Sequence, residues 1–488
     1  MKKITIDPIT RLEGHGKIEI FLDQSGEVNQ AYLQIPELRG FEKFCEGRPA
    51  EELPRITSRI CGVCPTAHHL AGTKALDDLF KVQPTFAAAK IRELMNSAFI
   101  AEDHILHFAF LGAPDFVVGP QVPAADRNIL GVIDKVGKEV GSQIIEMRKQ
   151  LRQVLKIIGG KPVCPTCGLP GGVSKGISEE ERKTIQSAGE YGVEICSVLL
   201  KLFEDVVLKN QEYVDLVTGD IYKHQTYYMG TVDNNNLVNL YDGDLRVIDP
   251  LGNQYARFRP QAYQDYIREH PEPWSYMRFC YLKDVGWKGF VDGIDSGVYR
   301  VAPLARLNVA EGMATPKAQA EYEKMYNTLG GKPAHNTLAF HWARLIEAMY
   351  ACERVVELSS DPEITSEELV NLPTNNPQEG VGVVEAPRGT LIHHYQTDNK
   401  GLITNVNLIV ATQNNGAAIN MSVEKAAKSL IKDGEVPEGL LNMIEMAFRA
   451  YDPCHACATH SLPGQMPLEI NVYNNKQDLV KKLRHGRE

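Results

Sequence analysis

Apolar and polar residues alternate near the start of the chain, in the segments ITI, KIEIFL and VNQAYLQI. Alternation with a period of two is typical of half-buried β-strands, and the turn DQSGE between the last two segments predicts a hairpin. From Thr85, an N-cap residue, apolar side chains recur at helical spacing toward Phe110, which predicts a long core helix. Further helical patterns cover residues 131–158, 178–208, 315–327, 339–358 and 437–450.

Strand patterns return later in the chain. LRVIDPLGNQYARF has a Pro-Leu-Gly turn between strand-like runs, and VGVVEAPRGTLIHHYQTDNKGLITNVNLIVAT is predicted as two strands around a DNKG turn. No internal repeat, low-complexity tract or Ser/Gly linker separates these elements. The pattern therefore predicts an α+β fold, a helix-rich single body (a long helical bundle) with small antiparallel sheets. This body is expected over residues 1–460, and the polar, basic segment 461–488 is expected as a C-terminal extension.

Composition and charge narrow the class of protein. The chain has 488 residues, of which 43% are hydrophobic and 23% charged, as in ordinary globular proteins. A formal net charge of −10 provides no basic field for a phosphate backbone, so nucleic acid is not an expected partner. The start MKKITIDPIT lacks the apolar core of a signal peptide, and no uncharged apolar run of about 18 residues occurs. A cytoplasmic protein without a membrane span is expected.

Ten cysteines need an explanation in a compartment that keeps thiols reduced. Six of them form three C-x-x-C pairs, which are Cys61/Cys64, Cys164/Cys167 and Cys454/Cys457. The first and last pairs are each followed by a histidine, His68 and His460, and lie near opposite ends of the chain. A small zinc module gathers its ligands within one short segment, so such a module is disfavoured. Four thiolates alone leave zinc, copper, iron-sulfur clusters and nickel or iron open.

Several motifs are spread along the chain. They are Arg11-Leu12-Glu13-Gly14-His15, Arg39-Gly40-Phe41-Glu42, Arg59-Ile60-Cys61-Gly62-Val63-Cys64 with His68, Glu385-Ala386-Pro387-Arg388-Gly389, and Asp452-Pro453-Cys454 through Cys457 to His460. With these motifs the chain resembles, across nearly its whole length, the large catalytic subunit of nickel-iron hydrogenases. The resemblance implies the fold of that subunit and reversible, heterolytic cleavage of H2 to protons and electrons.

The resemblance further implies a nickel-iron centre held by four thiolates. Cys61 and Cys454 would be terminal ligands of the nickel. Cys64 and Cys457 would bridge the nickel to an iron that carries carbon monoxide and cyanide. Soft, strongly donating sulfur suits a nickel that changes its oxidation state. By the same resemblance a terminal sulfur, that of Cys454, takes the proton, and Glu13 is the first relay that accepts it and passes it on.

Residues around the metals are implied in the same way. Arg388 would lie over the metals, with its guanidinium near the diatomic ligands of the iron. Asp115 and Asp452 match the family's carboxylates around that arginine, and Pro387 would help to shape the pocket.

A hydroxyl and an imidazole complete the implied surroundings. Thr412, in VATQNN, matches a hydroxyl residue that donates to a cyanide, although the family often has Pro-Ser where this chain has Ala411-Thr412. His68 would hydrogen-bond a bridging sulfur, whereas the adjacent His69 is as readily explained by packing.

A second metal site is also implied by the resemblance. Glu42 and His460, with the backbone carbonyl of Leu408, match a structural site for Mg²⁺ or Fe²⁺ near the C-terminus. Carboxylate, carbonyl and water ligands suit a hard cation. In this family a maturation endopeptidase cuts the chain after the final motif histidine, here between His460 and Ser461, and a maturation chaperone is expected with it.

Partners follow from what the chain lacks. Because no further cysteine array is present, an iron-sulfur small subunit must carry the electrons away. Stretches such as EAPRGTLIHHY and WSYMRFCYLKD resemble the cytoplasmic, bidirectional branch of the family, whose complexes add flavin and iron-sulfur diaphorase subunits. The expected acceptor is therefore NAD(P) or ferredoxin.

Two other classes of protein also fit parts of the sequence. A homologous, metal-free quinone-site subunit of a complex I-like assembly is the main rival function, and a structural zinc protein is the other. The pair Cys164 and Cys167 is assigned no catalytic role, since buried inert thiols, a disulfide or an extra metal knuckle all fit it. The single cysteines are predicted to pack in the core, namely Cys45, Cys196, Cys280 and Cys352.

Overall fold

The computed structural model describes residues 2–7, 9–460, 468–473 and 479–485. Its helices are α1 (Phe41–Cys45), α2 (Leu53–Thr57), α3 (Pro65–Leu79), α4 (Phe86–Leu106), α5 (Ile129–Val136), α6 (Lys138–Gly159), α7 (Glu179–Phe203), α8 (Gln211–Thr218), α9 (Tyr263–Tyr266), α10 (Pro303–Val309), α11 (Pro316–Leu329), α12 (Phe340–Ser360), α13 (Ala411–Leu430), α14 (Glu438–Arg449) and α15 (His455–Ala458).

Short strands alternate with these helices. They are β1 (Lys2–Ile6), β2 (Lys17–Leu22), β3 (Val28–Gln34), β4 (Gly168–Leu169), β5 (Gly172–Val173), β6 (Tyr227–Val232), β7 (Asp244–Ile248), β8 (Gln254–Phe258), β9 (Ile267–His270), β10 (Phe279–Leu282), β11 (Tyr299–Arg300), β12 (Glu379–Ala386), β13 (Gly389–Thr397), β14 (Ile403–Ile409), β15 (Leu468–Tyr473) and β16 (Leu479–His485). The predicted α+β class with small sheets is confirmed.

Two helices form the centre of the helical body. α4 and α12 pack against each other, and α7 packs along α12. Thr85 begins α4 as predicted, because its hydroxyl oxygen accepts a hydrogen bond from the Ala88 amide at 3.3 Å. Most side chains of both α4 and α12 are buried around the whole circumference, which is typical of core helices. The predicted long core helix is confirmed.

The helical geometry changes beyond α4. Two π-helical turns follow α4, at His107–Gly112 and at Pro114–Val118. A π turn holds more residues than an α turn, so the side chains after α4 leave the register that its apolar pattern sets. The predicted helix over 131–158 is also divided, into α5 and α6, at Gly137 with a φ of 92°.

Three sheets of three or four strands accompany the helices. One has the antiparallel order β1-β2-β3, another the order β11-β6-β7-β8, and a third the antiparallel order β12-β13-β14. The last sheet differs from the two strands predicted there. Ala386 pairs with Gly389, so Pro387 and Arg388 form a tight two-residue turn between two strands. Gly389 has a φ of 126°, which a residue with a side chain rarely adopts.

The two ends of the body meet. Glu13 forms a short parallel bridge with Cys454, and the amide of His455 donates to the Glu13 carbonyl at 3.0 Å. A little further along, the amide of Arg39 donates to the Thr459 carbonyl at 3.1 Å. These backbone contacts bring the first and last motifs of the sequence into one place.

No helix in the described part of the chain is long and apolar enough to cross a membrane. In the predicted extension 461–488, the described segments β15 and β16 pair as an antiparallel hairpin. The predicted cleavage boundary at Ser461 lies outside the described residues.

Candidate metal centre

Four cysteines from opposite ends of the chain converge. Sγ of Cys61 lies 3.2 Å from Sγ of Cys454, and Sγ of Cys64 lies 3.3 Å from Sγ of Cys457. Cys454 and Cys457 lie 2.9 Å apart at sulfur. All four ligand atoms fall within 4.8 Å of one another, and all four residues are buried. Two C-x-x-C segments that are distant in sequence therefore make one tetrathiol site. Cys61/Cys64 is called the first knuckle and Cys454/Cys457 the second.

Local folding explains how each knuckle presents its sulfurs. Cys64 lies at the N-cap of α3, with Pro65 in the first turn, and Cys454 lies at the N-cap of α15. The amides of Val63 and Cys64 both point at Cys61 Sγ, at 3.2 Å. Amide donors and helix N-termini favour the thiolate form of cysteine, which is the form that binds metals.

The thiols of the site differ in pKa. Burial would raise the pKa of the Cys61 thiol, but three neighbouring thiols hold it well below its ordinary value. Burial, together with neighbouring sulfurs, raises the pKa of Cys454 and Cys457 well above the ordinary value. Four thiolates cannot share this buried volume without a positive charge, whereas a bound metal stabilises all four. The donor set is soft sulfur, which fits nickel or iron and does not fit Mg²⁺ or Ca²⁺.

A small enclosed cavity adjoins the sulfurs. The residues that line it are Cys64, His68, Ala386, Arg388, Leu391, Val410, Ala411, Thr412, Cys454 and Cys457. The lining combines aliphatic side chains with a guanidinium and a hydroxyl, so the space beside the sulfurs is mainly apolar and has two hydrogen-bond donors.

Glu13 contacts the predicted terminal thiol. One carboxylate oxygen accepts from Sγ of Cys454 at 2.9 Å and from the amide of Ala456 at 3.2 Å. The half-buried side chain has a raised pKa, first because of burial and then because of the negative charge of Cys61. The structure therefore brings Glu13 to the sulfur for which the sequence predicted it.

Arg388 projects from the β12-β13 turn into the cavity wall. Its guanidinium nitrogens lie 3.1 Å from both oxygens of Asp103 and 2.9 Å from Asp452. Burial and the adjacent Asp452 raise the pKa of Asp103 to about 7, even though Arg388 lowers it. Pro387 precedes Arg388 in the turn, and its carbonyl accepts from Arg306 at 3.4 Å.

The prediction that Asp115 accompanies Arg388 is wrong. Asp115 lies on the second π-helical turn. Its carboxylate pairs with Arg449 at 2.7 Å and with Arg11. The carboxylate beside Arg388 is Asp103, which is buried near the C-terminal end of α4. A carboxylate on an apolar helix face is a signal that the sequence contained, since Asp103 follows Phe99 and Met95 at helical spacing.

Thr412 lies at the start of α13, against the second knuckle. Its hydroxyl oxygen accepts a hydrogen bond from the amide of Cys454 at 2.9 Å. The hydroxyl proton is thereby left free to donate, and Thr412 lines the cavity.

His68 and His69 are adjacent on α3 and contact different regions. Nε2 of His68 lies 3.6 Å from Sγ of Cys457, and its Nδ1 lies 3.1 Å from Nε2 of His393. Burial lowers the pKa of His68 to about 4. Nε2 of His69 instead accepts from the amides of Cys167 and Gly168, at 3.1 and 2.9 Å. His393 was not foreseen, because its role depends on the pairing of β13 beside α3.

The three residues of the predicted second metal site also lie together. Nε2 of His460 is 3.4 Å from an oxygen of Glu42, and the same oxygen accepts from the Leu408 amide at 2.8 Å. Burial lowers the pKa of His460, but the Glu42 carboxylate outweighs burial and raises it. The contact through Leu408 seen here is made by its N–H, whereas a metal would take its carbonyl.

The remaining cysteines are buried free thiols. Sγ of Cys164 lies 3.9 Å from the Ser58 carbonyl, and Sγ of Cys167 lies 3.3 Å from Sδ of Met95. Among the described residues, the group of metal-ligating side chains found is the tetrathiol alone. The four single cysteines are all buried, as predicted.

Comparison with known proteins assigns the family. Residues 39–131 and 294–460 match the family model described as nickel-dependent hydrogenase, and residues 3–38 match a model described as HoxL-like. The chain therefore belongs to the nickel-dependent hydrogenase family. The five motifs that carry the resemblance all fall inside the matched residues, whereas Cys164 and Cys167 fall outside them.

Curated relatives extend over nearly the whole chain. An iron-sulfur subunit of the F420-non-reducing hydrogenase of Archaeoglobus profundus is 50% identical over 486 residues, which cover 99% of this chain and 100% of that protein. The beta subunit of the NAD-reducing hydrogenase HoxS of Cupriavidus necator is 39% identical, over 98% of this chain and 99% of that protein.

A solved structure gives the same assignment. The crystal structure of an NAD+-reducing NiFe-hydrogenase in the H2-reduced state superimposes with a TM-score of 0.89 at 38% identity, covering 94% of this chain and 100% of that chain. The chain is thus a catalytic large subunit of the nickel-iron type. The metal-free quinone-site alternative is not favoured, because all four cysteines are present and converge.

Proposed function

We propose that this chain holds a nickel-iron pair at the tetrathiol site and cleaves H2 reversibly and heterolytically, as the catalytic component of a hetero-oligomeric hydrogenase. The observation that carries the proposal is the convergence of four buried sulfurs with a carboxylate on one of them, Glu13 on Cys454 at 2.9 Å. The bound metals would supply the site that polarises H2 and accepts its electrons. The protein residues then have to hold the metals, move the proton and exclude water.

The four sulfurs divide into two kinds. Cys61 and Cys454 are proposed as terminal nickel ligands, and Cys64 and Cys457 as ligands shared with iron. In support, Cys64 and Cys457 both line the enclosed cavity, together with Cys454, and Cys61 is absent from its lining among the described residues. An iron with additional small ligands would find its space on that side.

Arg388 and Thr412 are proposed to donate hydrogen bonds to carbon monoxide or cyanide on that iron. Both line the same cavity. The guanidinium is fixed by Asp103 and Asp452, and the Thr412 oxygen is already occupied as an acceptor, which leaves its proton as a donor. Two donors of fixed orientation suit anionic diatomic ligands.

Glu13 is proposed to take the proton from Cys454. The contact is direct, and the residues after Glu13, namely Gly14 and His15, are exposed. The chain therefore reaches solvent directly after Glu13, which gives a proton on its carboxylate a route to the surface. This distribution of contacts makes Glu13 the way out of an otherwise buried site.

The surface nearest to the first knuckle is proposed as the docking face of the iron-sulfur small subunit. Gly62, between the two ligands Cys61 and Cys64, is exposed, and Phe44 nearby keeps 56% of its surface exposed. Arg39 connects this face to the site, because its guanidinium donates to the Ile60 carbonyl. An exposed aromatic beside a redox centre is the kind of surface that a partner covers.

Arginines give this face its charge. Arg39, Arg55 and Arg59 line one cleft together with Phe41, Phe44 and Ile56. In the described part of the chain the side chains of Arg55 and Arg59 have no ion-pair partner. We expect acidic or carbonyl groups of the small subunit to pair with them.

The final acceptor lies on other subunits. Relatives of this chain are named both F420-non-reducing and NAD-reducing, so NAD(P) through flavin and iron-sulfur diaphorase subunits, or ferredoxin, stays a prediction. The cytoplasmic location likewise stays a prediction.

A second cation and a maturation step complete the proposal. Mg²⁺ or Fe²⁺ is proposed at Glu42, His460 and Leu408, which already lie within hydrogen-bonding reach of one another. A maturation endopeptidase, assisted by a chaperone, is proposed to cut after His460. His460 is buried at the second site, so the cut would end the chain beside a filled metal site.

Elemental and infrared analysis of the matured complex tests the proposal. Nickel and iron should be bound, infrared bands of metal-bound carbon monoxide and cyanide should be present, and H2 should reduce an artificial dye. A matured complex that lacks nickel and leaves the dye oxidised under H2 would contradict the proposed function.

A further inference from the structure

A buried charge network lies behind the turn that carries Arg388. Its centre is Arg306 on α10, whose side chain is completely buried. Nε and Nη2 donate to the two carboxylate oxygens of Glu347 at 2.7 and 2.6 Å, and Nη1 donates to Glu385 at 2.8 Å. Glu347 and Glu385 are also completely buried. One arginine thus joins α10, α12 and β12.

The same guanidinium holds the backbone just before Arg388. Nη1 donates to the Ala386 carbonyl at 2.9 Å, and Nη2 donates to the Pro387 carbonyl at 3.4 Å. An arginine side chain has five N–H donors in a fixed fork, and here all five are engaged. The position of the turn is therefore specified by one rigid group.

The network also reaches the other partner of Arg388. Nε2 of His104 lies 2.9 Å from an oxygen of Glu347, and His104 directly follows Asp103 on α4. Asp103 is the carboxylate that pairs with Arg388 at 3.1 Å. Arg306 therefore contacts the backbone next to Arg388, and Glu347 contacts the side chain of the residue next to Asp103.

The chain also makes room for this arginine. A methyl group at Gly230, on β6, would lie 2.9 Å from Cγ of Arg306 and 3.1 Å from its Cα. Burying several charges is costly, and apolar residues of similar volume often give equal or greater stability. A gain in folding stability is therefore a weak reason for the chain to have this network. Its contacts instead converge on the turn that carries Arg388.

We propose that Arg306, together with Glu347, is a positioning residue that holds the Arg388 guanidinium and the Asp103 carboxylate in register at the metal centre. Arg306 touches neither substrate nor metal ligands, and it acts through the backbone of Ala386 and Pro387. This proposal rests on the proposed function for its effect on turnover, but its effect on the turn does not.

The test compares Arg306→Lys with the matched control Arg92→Lys in the purified, matured complex. Arg92 is equally buried, pairs with Asp77 and donates to the Gly172 carbonyl at 3.1 Å, and neither partner belongs to the metal site. Lysine keeps the charge in both variants but lacks the fork that reaches several acceptors.

Arg306→Lys should retain nickel, lower H2 turnover about 10- to 100-fold, and raise the amide hydrogen exchange of a peptide spanning 385–390. Arg92→Lys should lower the thermal midpoint similarly but keep wild-type turnover and wild-type exchange of that peptide. Equal turnover and equal exchange in the two variants would overturn the proposal.

Two further measurements keep the test decisive. If Arg306→Lys does not fold, Glu347→Gln replaces it, since the amide keeps the shape of the side chain and breaks the charged fork; unchanged exchange over 385–390 in that variant would overturn the proposal. If the wild-type complex shows no H2 turnover, the proposed function fails by itself. The exchange comparison then still decides whether Arg306 fixes the turn.

Discussion

Two C-x-x-C pairs of this chain are built alike but lie in different surroundings. Cys61/Cys64 and Cys164/Cys167 are both buried and both adjoin a proline. Every sulfur of the first pair has a sulfur of the last pair at 3.2 or 3.3 Å, whereas the sulfurs of the middle pair face a carbonyl and Met95. The spacing of two cysteines is therefore not enough to define a metal site. A second knuckle must fold against it.

The two pairs are nevertheless joined through α3. His68 contacts Cys457 at the metal site, and the next residue, His69, accepts from the amides of Cys167 and Gly168. Cys164 also approaches the carbonyl of Ser58, which precedes the first knuckle. The middle pair thus belongs to a loop that supports the metal-binding turn from behind and need not bind anything itself.

The sharpest test of this contrast is to remove one sulfur from each pair. Cys64→Ser should abolish nickel binding and H2 turnover, because a hydroxyl replaces a soft ligand at the metal site. Cys167→Ser should retain both, since its sulfur faces Met95. Metal analysis and dye reduction under H2 measure the difference. Nickel loss in Cys167→Ser would show that the middle pair contributes to the site after all.

The carboxylate at the metal site provides the next test. Cys454 has Glu13 at 2.9 Å, whereas Cys164 has a backbone carbonyl at 3.9 Å and no carboxylate within hydrogen-bonding distance among the described residues. Glu13→Gln should keep nickel but lower hydrogen/deuterium exchange between H2 and water by about 100- to 10,000-fold, because the amide cannot carry the proton.

A nearby carboxylate serves as the control for Glu13. Glu37 is partly exposed and pairs with His15, in the same N-terminal region, and its described contacts include no cysteine. Glu37→Gln should exchange at the wild-type rate. Wild-type exchange in Glu13→Gln would remove Glu13 from the proton path.

The sequence was sufficient for the residues that motifs define. Cys61, Cys64, Cys454, Cys457 and Glu13 come together as predicted, because each lies in a short motif whose local geometry the family fold fixes. The long core helix after Thr85 was predictable for a different reason. Its apolar periodicity is uninterrupted, and its N-cap is local.

What the sequence could not show depends on irregular backbone. The two π turns after α4 place Asp115 outside the register of that helix, where it pairs with Arg449. The carboxylate beside Arg388 is Asp103, which lies within α4 itself. The division between β12 and β13 was missed because the turn that separates them has only two residues, Pro387 and Arg388. Periodicity averages over many residues and does not detect a change at one or two positions.

The adjacent histidines allow a smaller, matched comparison. His68→Phe should lower H2 turnover about 10- to 100-fold while nickel stays bound, because the ring is kept but the contact with Cys457 is lost. His69→Phe should keep turnover, but it leaves the amides of Cys167 and Gly168 unpaired, which costs about 1–3 kcal/mol of the free energy of unfolding. Denaturant unfolding and dye reduction separate the two effects. The reverse pattern would mean that the two histidines have exchanged roles.

The smallest effect is expected for Cys164→Ala. The thiol is buried, its nearest polar contact is the Ser58 carbonyl at 3.9 Å, and that distance allows at most a weak hydrogen bond. Removing one sulfur atom should lower the free energy of unfolding by about 1 kcal/mol and leave nickel content and H2 turnover at wild-type values. Cys61→Ala is the matched counterpart and should lose the nickel. If Cys164→Ala also lost nickel, the loop of the middle pair would have to position the first knuckle through Ser58. Both pairs would then be needed for metal binding, one directly and one indirectly.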